Sequence, residues 1–461
     1  MIRSDRRVFE RYDGSVVTIA AHDFRVLVVG LGVTGVATAR YLAARGVDVT
    51  VIDSRAAPPG LADLSSSNPA IKVVTESEDP RWLEGIGQVV LSPGLALDSP
   101  IAEHAVRLGI PVVGDIELFA RDVAVPVLAI TGTNGKSTVV TLLERMLSAT
   151  GLDVAAGGNI GPPALQLLEE NAEIHILEVS SFQLETTQSL TPDAAVVLNV
   201  SPDHLDRHGT LAEYAALKAK LLQSAKCAVF NRDDPLVCAM VSGHPNAIPF
   251  SLLEETEGGY GVVEHKGERW LAHACEPLLP AATLRMPGIH NEANALAALA
   301  LASVLDCDIE PQLTALREFT GLPHRCEWVA ERDGVTFIND SKGTNVAASV
   351  AALEGIKGPY VLIAGGQGKG ADFSPLVASA RGKLLGVVVI GEAADELGAL
   401  FTQTCPVRLA GDMDAAVNLA VELAPSGSTI LLSPACASLD MFVDYTHRGD
   451  AFIASVKGLA L

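Results

Sequence analysis

The chain has 461 residues, 49% of them hydrophobic and 5% aromatic, with a formal net charge of -22. That length exceeds what one core ordinarily serves and suggests about three domains of roughly 150 residues each. The acidic balance excludes nucleic acid as the main partner, because a phosphate backbone wants a basic face, and no apolar run approaches the roughly 18 residues of a membrane span, so no membrane insertion is expected.

Residues 1–22 are polar and charged apart from Val16 to Ala21 and read as a flexible or loosely docked extension. With no long apolar stretch behind Arg3, Arg6 and Arg7, and seven cysteines in no CxxC or metal-finger spacing, a cytoplasmic, reduced protein is expected. From Phe24 the pattern changes. The apolar run Val26–Val29 leads into Gly30-Leu31-Gly32-Val33-Thr34-Gly35, a helical stretch through Arg45, and a strand at Val49–Ile52, which together make a βαβ unit. Further strands fit Val89–Leu91 and Val112–Val113, giving a first domain over 23–115. Three readings of its GxGxxG stand open: NAD, another phosphate-bearing nucleotide, or close packing. Asp53-Ser54-Arg55, at the end of the next strand, equally suits a uracil or a sugar hydroxyl.

A second domain, 116–321, opens with the strand Val127–Ile130 and Gly132-Thr133-Asn134-Gly135-Lys136-Ser137-Thr138, followed by a helix towards Ala149. Glycines let backbone N–H groups surround phosphates at a helix N-terminus. Lys136 then reaches the β- and γ-phosphates and the Ser137 hydroxyl ligates Mg²⁺. The first glycine stands closer to Gly-Lys than in the usual phosphate loop. Strands fit Ile174–Val179, Ala194–Val200 and Ala228–Asn231, residues 255–287 read as hairpin-like β structure, and Asn291–Leu305 is an alanine-rich helix. Glu178 at a strand end suits a divalent ion. His204, in Asp203-His204-Leu205-Asp206-Arg207, suits metal or phosphate, with Asp206 a weaker candidate beside it. Lys218, on a helix, reads by pattern alone as a solvated surface lysine.

The third domain, 322–461, has strands at Thr336–Ile338, Tyr360–Ala364, Val387–Ile390 and Thr429–Leu432, with helices between. Three polar or glycine-rich loops follow such strands: Asn339–Asn345, Gly365–Lys369 and Ser433–Ser438. The carboxyl ends of parallel strands are where α/β sheets bind ligands, so a binding site is expected there. The fold class is thus α/β in three domains: Rossmann-like, then a phosphate-loop ATPase type, then Rossmann-like again.

Taken together, these residues resemble the Mur ligase family. The matching stretches are Gly132–Thr138, Gly157-Gly158-Asn159-Ile160-Gly161, Glu178–Glu185, Asn199–Arg207, Gly321-Leu322-Pro323-His324-Arg325, Asn339–Asn345 and Leu432–Asp440. GTNGKS alone reaches a superfamily that includes folate-polyglutamate ligases, whereas SSFQLE, GLPHR and SPACASLD are more selective for D-glutamate-adding members. The resemblance implies a monomeric ATP-dependent ligase that joins D-glutamate to UDP-N-acetylmuramoyl-L-alanine through an acyl-phosphate, in peptidoglycan precursor synthesis. It implies that Gly132, Thr133, Asn134, Gly135, Lys136, Ser137 and Thr138 bind ATP, with Asn291, Asn294, Arg325, Asp340 and Lys342. Two Mg²⁺ ions are implied on Ser137, Glu178, His204 and Lys218, the last as a CO₂-derived carbamate, with Lys136, His204 and Lys218 catalytic. Val33, Thr34, Asp53, Ser54, Arg55 and Asn159 fall on the UDP-substrate, which resolves the GxGxxG against NAD. Thr344, Lys369, Ser438, Leu439 and Tyr445 fall on D-glutamate. The extension has no counterpart in the family, and Tyr445 stands where phenylalanine is expected. Because water destroys an acyl-phosphate, the third domain is expected to close over the second.

Overall fold

The computed structural model describes residues 6–10, 16–20, 25–254, 258–286, 288–356, 358–380 and 382–459. Three sheets succeed one another along the chain, and each is built from runs of Val, Ile, Leu and Ala that are buried on both faces, as parallel strands covered by helices require. The first is fully parallel, in the order Lys72–Val74, Asp48–Ile52, Arg25–Val29, Gln88–Leu91, Val112–Val113. The third runs Glu327–Arg332, Val335–Asn339, Thr429–Leu432, Tyr360–Gly365, Leu384–Ile390, Val407–Leu409, and its first strand is antiparallel.

The second sheet places the site. Val127–Thr131 lies between Ile174–Glu178 and Ala194–Val197. From it the chain winds outward one way, to Val154–Gly158 and back to Ile174–Glu178, and the other way through Ala228–Asn231 and Ala247–Phe250. Loops leaving neighbouring strands at such a reversal diverge and open a crevice at their carboxyl ends. An antiparallel meander, Tyr260–His265, Glu268–His273 and Glu276–Pro280, extends the far edge.

Behind the crevice, helix Lys136–Ala149 packs on helices Ile289–Ala302 and Ile309–Glu318. Ala295 to Ala302 are all fully buried. A helix buried all round needs small side chains to let its neighbours approach, which explains the alanine run.

Several elements depart from the sequence reading. Residues 6–10 and 16–20 of the extension pair as antiparallel strands, which the sequence reading did not foresee although the β-branched run Val16-Val17-Thr18-Ile19 suits a strand; residues 1–5, 11–15 and 21–24 lie outside the described residues. Residues 255–257 and 287 of the expected hairpin region also lie outside them. The strand expected over Ala194–Val200 ends at Val197, and helix Ile289–Ala302 is followed by a further helix, Ile309–Glu318. Five strands give weak signals: Lys72–Val74, Val154–Gly158, Ala247–Phe250, Glu327–Arg332 and Val407–Leu409. They are short, charged, glycine-bearing or interrupted by Pro249, as sheet margins commonly are.

The first βα turn is tight enough to make a direct prediction. A Cβ on Gly35 would stand 2.0 Å from the Gly30 carbonyl oxygen. Gly35→Ala is expected to destabilise this sheet by about 2 kcal/mol or more, seen as a lower melting temperature by circular dichroism. An unchanged melting temperature would refute the contact.

Candidate active site

The Gly132–Thr138 loop leaves its strand and turns at once into helix Lys136–Ala149. Gly135 makes the turn at φ 89°, a left-handed conformation, and a Cβ there would meet the Asn294 side chain at 2.6 Å. Asn199 pins the loop from the next strand end. Its Oδ1 accepts from Asn134 N at 2.9 Å, its Nδ2 donates to the Asn134 carbonyl at 3.1 Å, and its own carbonyl accepts from Thr133 N. Ser137 and Thr138 are buried on the first turn, where helix N–H groups lack intrahelical partners. The Lys136 amine donates to the carbonyls of Gly132 and Thr133 at 3.0 and 2.8 Å. Burial lowers its pKa, Glu178 opposes that, and Arg325 and Lys342 add to the lowering.

Glu178 ends the adjacent strand, 2% exposed. Its Oε1 accepts from Asn159 Nδ2 at 2.8 Å, and its Oε2 is buried with no hydrogen-bond partner. A lone buried carboxylate oxygen at the strand end beside the Gly132–Thr138 loop fits a hard cation such as Mg²⁺. Among the described residues no three His, Cys, Asp or Glu side chains gather as a cation cage, so such an ion must draw on phosphate and hydroxyl oxygens as Mg²⁺ ordinarily does. His204 caps the short helix Leu205–His208 at φ 52°, with its Nε2 3.8 Å from Asp203 Oδ2 and its ring edge-on to Phe182. The Asp206 side chain lies outside the described residues.

Lys218 overturns the surface reading. It is 1% exposed, donating to Gly132 O at 2.9 Å and Thr131 Oγ1 at 3.3 Å, with Tyr214, one turn earlier, beneath its amine at 4.5 Å. Pattern missed it because helix Leu211–Ser224 alternates polar and apolar residues weakly, and the buried face is defined by tertiary packing. Burial, then the neighbouring Lys136, push its pKa well below the ordinary lysine value.

The turn after Glu178 is a capping box. Ser180 Oγ accepts from Gln183 N, and Gln183 Oε1 accepts from Ser180 N. Gln183 Nε2 also donates to the buried Asp115 carboxyl at 3.1 Å. Burial holds Asp115 up at about 6.

Loops of the third sheet reach the phosphate-loop helix and the Asp203 segment. The Lys342 amine donates to Ser137 Oγ at 3.3 Å, and Asn345 Nδ2 donates to Asp203 Oδ2 at 3.2 Å. Asp340 accepts from Ser433 Oγ at 2.7 Å and from Cys326 N, and burial raises it to about 6. Lys342 is lowered to about 8 by burial and by Arg325, whose Nε is buried without a partner. Between the sheets lies a cavity of about 400 Å³ lined by Asn134, Gly135, Asn291, Asn294, Arg325 and Lys342 among others. Sequence reasoning missed its apolar wall, Phe250, Leu252 and Met286, together with Asp233 and His290. Asp233 alone had a signal, since it follows the strand Ala228–Asn231 just as Glu178 ends its own.

Arg448, also missed, is fully buried and holds the three expected loops together. It donates to Ser341 O at 2.8 Å, Ser341 Oγ at 3.0 Å and Cys436 O at 3.1 Å, with Gly365 O at 3.5 Å. Gln367 and Ala437 lace two of these loops by reciprocal backbone bonds. Around them, Ser438 is buried, Thr344 half-buried, Lys369 exposed at φ 51° and Leu439 exposed; Tyr445 lies under the Lys342 amine at 5.1 Å.

In the first sheet, Asp53 is occupied. It accepts from Leu31 N at 2.7 Å and from Arg55 Nε and Nη2, which hold its pKa down at about 2. It thereby shapes the glycine loop, while Val33, Ser54 and Arg55 are exposed and Thr34 is half-buried beside it. Asn159, expected on the substrate, bonds Glu178.

Residues 24–114 match the Mur ligase MurD-like N-terminal domain, 130–302 the Mur ligase middle domain and 324–436 the Mur ligase glutamate ligase domain. The chain belongs to the Mur ligase family. A UDP-N-acetylmuramoylalanine--D-glutamate ligase from Nitrosococcus oceani is 49% identical over 94% of this chain and 96% of its own length. Another of that name, from Hahella chejuensis, is 46% identical over 96% of this chain and 100% of its own. In fold, the chain is similar to a pseudomurein peptide ligase type C from Methanothermus fervidus, with TM-score 0.60 and 22% identity over 94% of this chain and all of the other. This Mur ligase is an ATP-dependent ligase of peptidoglycan precursor synthesis that uses ATP and Mg²⁺. Among its described residues no helix is long and apolar enough to cross a membrane.

Asp115 yields a pH prediction. With its folded pKa raised from 3.8 to about 6, folding favours the protonated carboxyl, so its contribution is present below pH 3.8 and is lost as pH rises to about 6. Relative to Asp115→Asn, the parent is expected to lose about 3 kcal/mol of stability across that window. Melting temperatures of both proteins at intervals through it test this, and parallel curves would refute the burial argument.

Proposed function

We propose that this Mur ligase joins D-glutamate to the L-alanine carboxylate of UDP-N-acetylmuramoyl-L-alanine, with Asn291, Asn294, Arg325, Asp340 and Lys342 enclosing ATP over the Gly132–Thr138 loop. The observation that carries this is the bond from Lys342 to Ser137. It brings a cation from the third sheet onto the phosphate loop of the second, so one nucleotide can be gripped from both sides. The near-full-length identity to D-glutamate ligases supports the choice of amino acid.

In this reading the substrate carboxylate attacks the γ-phosphorus of ATP and ADP leaves; the D-glutamate amine then attacks the acyl carbon, and phosphate leaves with loss of a proton. Both partners of the first step are negative, so Lys136 and the helix N-terminus offset their repulsion. Two Mg²⁺ ions, when bound by Ser137, Glu178, His204 and a Lys218 carbamate, supply the remaining charge neutralisation. The lowered pKa of Lys218 suits the carbamate. A neutral amine can attack CO₂, forming an N–C bond and releasing one proton, and the product restores a negative charge beside Lys136. Val33, Thr34, Asp53, Ser54, Arg55 and Asn159 serve the nucleotide-sugar, with Asp53 acting through Leu31 and Arg55. Thr344, Lys369, Ser438, Leu439 and Tyr445 serve D-glutamate. The corresponding division is 23–115, 116–321 and 322–461, in a cytoplasmic monomer kept apart by its net charge of -22.

The test is phosphate release from ATP with UDP-N-acetylmuramoyl-L-alanine and a panel of amino acids. Release that requires D-glutamate is expected; release with another amino acid would overturn the substrate assignment. Lys218→Ala is expected to lose about a hundredfold or more in kcat. In CO₂-depleted buffer the parent should lose activity and regain it with bicarbonate. A parent indifferent to bicarbonate would rule out the carbamate.

A further inference from the structure

The reaction brings a nucleotide-sugar on the first sheet to a phosphate loop on the second, and one side chain that joins the loops of both sheets beside the site is not among the residues assigned above. Arg207 sits three residues after His204, with its side chain 14% exposed. Its guanidinium lies 4.6 Å over the Phe182 ring and donates in two directions. Towards the first sheet it bonds the carbonyls of Pro93 at 3.3 Å and Leu95 at 2.8 Å. Towards the second it grips Glu185 as a fork, Nη2 to Oε2 at 2.5 Å and Nε to Oε1 at 3.3 Å.

Each end continues into a site. Pro93 and Leu95 belong to the loop after Gln88–Leu91; the Ser92 hydroxyl of that loop donates to the Gly30 carbonyl at 3.0 Å, and a Cβ on Gly30 would meet Leu95 at 3.2 Å. This loop therefore fixes the glycine turn assigned to the nucleotide. At the other end Glu185 Oε1 stands 3.3 Å from His208 Nδ1, and His208 Nε2 is 2.9 Å from Ser181 Oγ, three residues from Glu178. The His208 ring is also stacked on Tyr214, which lies beneath Lys218.

We propose that Arg207 is a positioning residue that couples seating of the nucleotide-sugar on the first sheet to the Glu178 and Lys218 machinery on the second, through Glu185, His208 and Ser181. The inference rests on the functional reading above, in which the glycine turn holds the UDP portion. A guanidinium is suited to the task because its planar fork serves a carboxylate and two carbonyls together, whereas a lysine amine has no such geometry.

The test is Arg207→Lys in the full chain, with KM measured separately for UDP-N-acetylmuramoyl-L-alanine, ATP and D-glutamate, and calorimetric titration of the nucleotide-sugar without ATP. KM and Kd for the nucleotide-sugar are expected to rise about tenfold, as for loss of a charge-assisted contact, while the other two KM values stay at the parent's. Glu185→Gln, which leaves both carbonyls partnered, is expected to lower kcat with a smaller change in that KM. An unchanged nucleotide-sugar KM in Arg207→Lys, or all three KM values moving together with a lowered melting temperature, would overturn the coupling and leave a structural ion pair. A parent enzyme that does not use this nucleotide-sugar would overturn the functional reading itself, and the coupling with it.

Discussion

Two lysine amines, those of Lys136 and Lys218, donate to the same carbonyl oxygen, that of Gly132, at 3.0 and 2.9 Å. Holding two protonated amines at one backbone dipole in a buried place is unfavourable unless one of them sheds its proton or something nearby carries negative charge. Glu178 supplies part of it, and the rest of the site is arranged to receive more. This requirement explains why the glycine turn, the free Glu178 oxygen and the incoming Lys342 stand near one another. It also explains why burial dominates the shifts at Lys136, Lys218 and Lys342 alike. The anionic substrates proposed for this site would make such a cluster favourable.

The fold follows from that need through topology. A phosphate loop must leave the carboxyl end of a strand whose neighbours' loops diverge, and Val127–Thr131 is that strand in the central sheet. Its rear is closed by a helix whose inner positions are alanine, so the loop-bearing helix Lys136–Ala149 is held by close packing on both sides. The third sheet repeats the geometry, with Asn339, Gly365 and Leu432 ending adjacent strands. Arg448 then ties the loops that follow, doing with one buried guanidinium what the glycine turns and capping boxes do elsewhere.

Much of this was legible in the residues. Apolar runs ending in Gly, Asn or Ser mark the central strands, and the loops after them hold most of the candidate site. What the pattern hid depends on contacts distant in sequence. Lys218 is one of two lysines on a helix of weak amphipathicity, and nothing local distinguishes it from Lys220. Arg448 and Arg207 look like ordinary surface arginines until the loops they bond, some 83 to 114 residues away for Gly365, Leu95 and Pro93, are folded beside them. Asp53 shows the converse: its place at a strand end is legible, but its carboxylate is already engaged by Leu31 and Arg55. The marginal strands were missed because sheet edges carry the charge, proline and short length that otherwise mark loops.

Among the described residues, two side-chain hydrogen bonds join the third sheet's loops to the second sheet, an amine on a hydroxyl at Ser137 and an amide on a carboxylate at Asp203, beside a helix contact where Gly355 approaches Gly288. Water can replace either at small net cost, because each group exchanges one hydrogen-bond partner for another. In the functional reading proposed above, hydrogen bonds of this kind would serve as a latch, so that an enclosure shielding a hydrolysable intermediate need not become a trap for ADP and the finished amide.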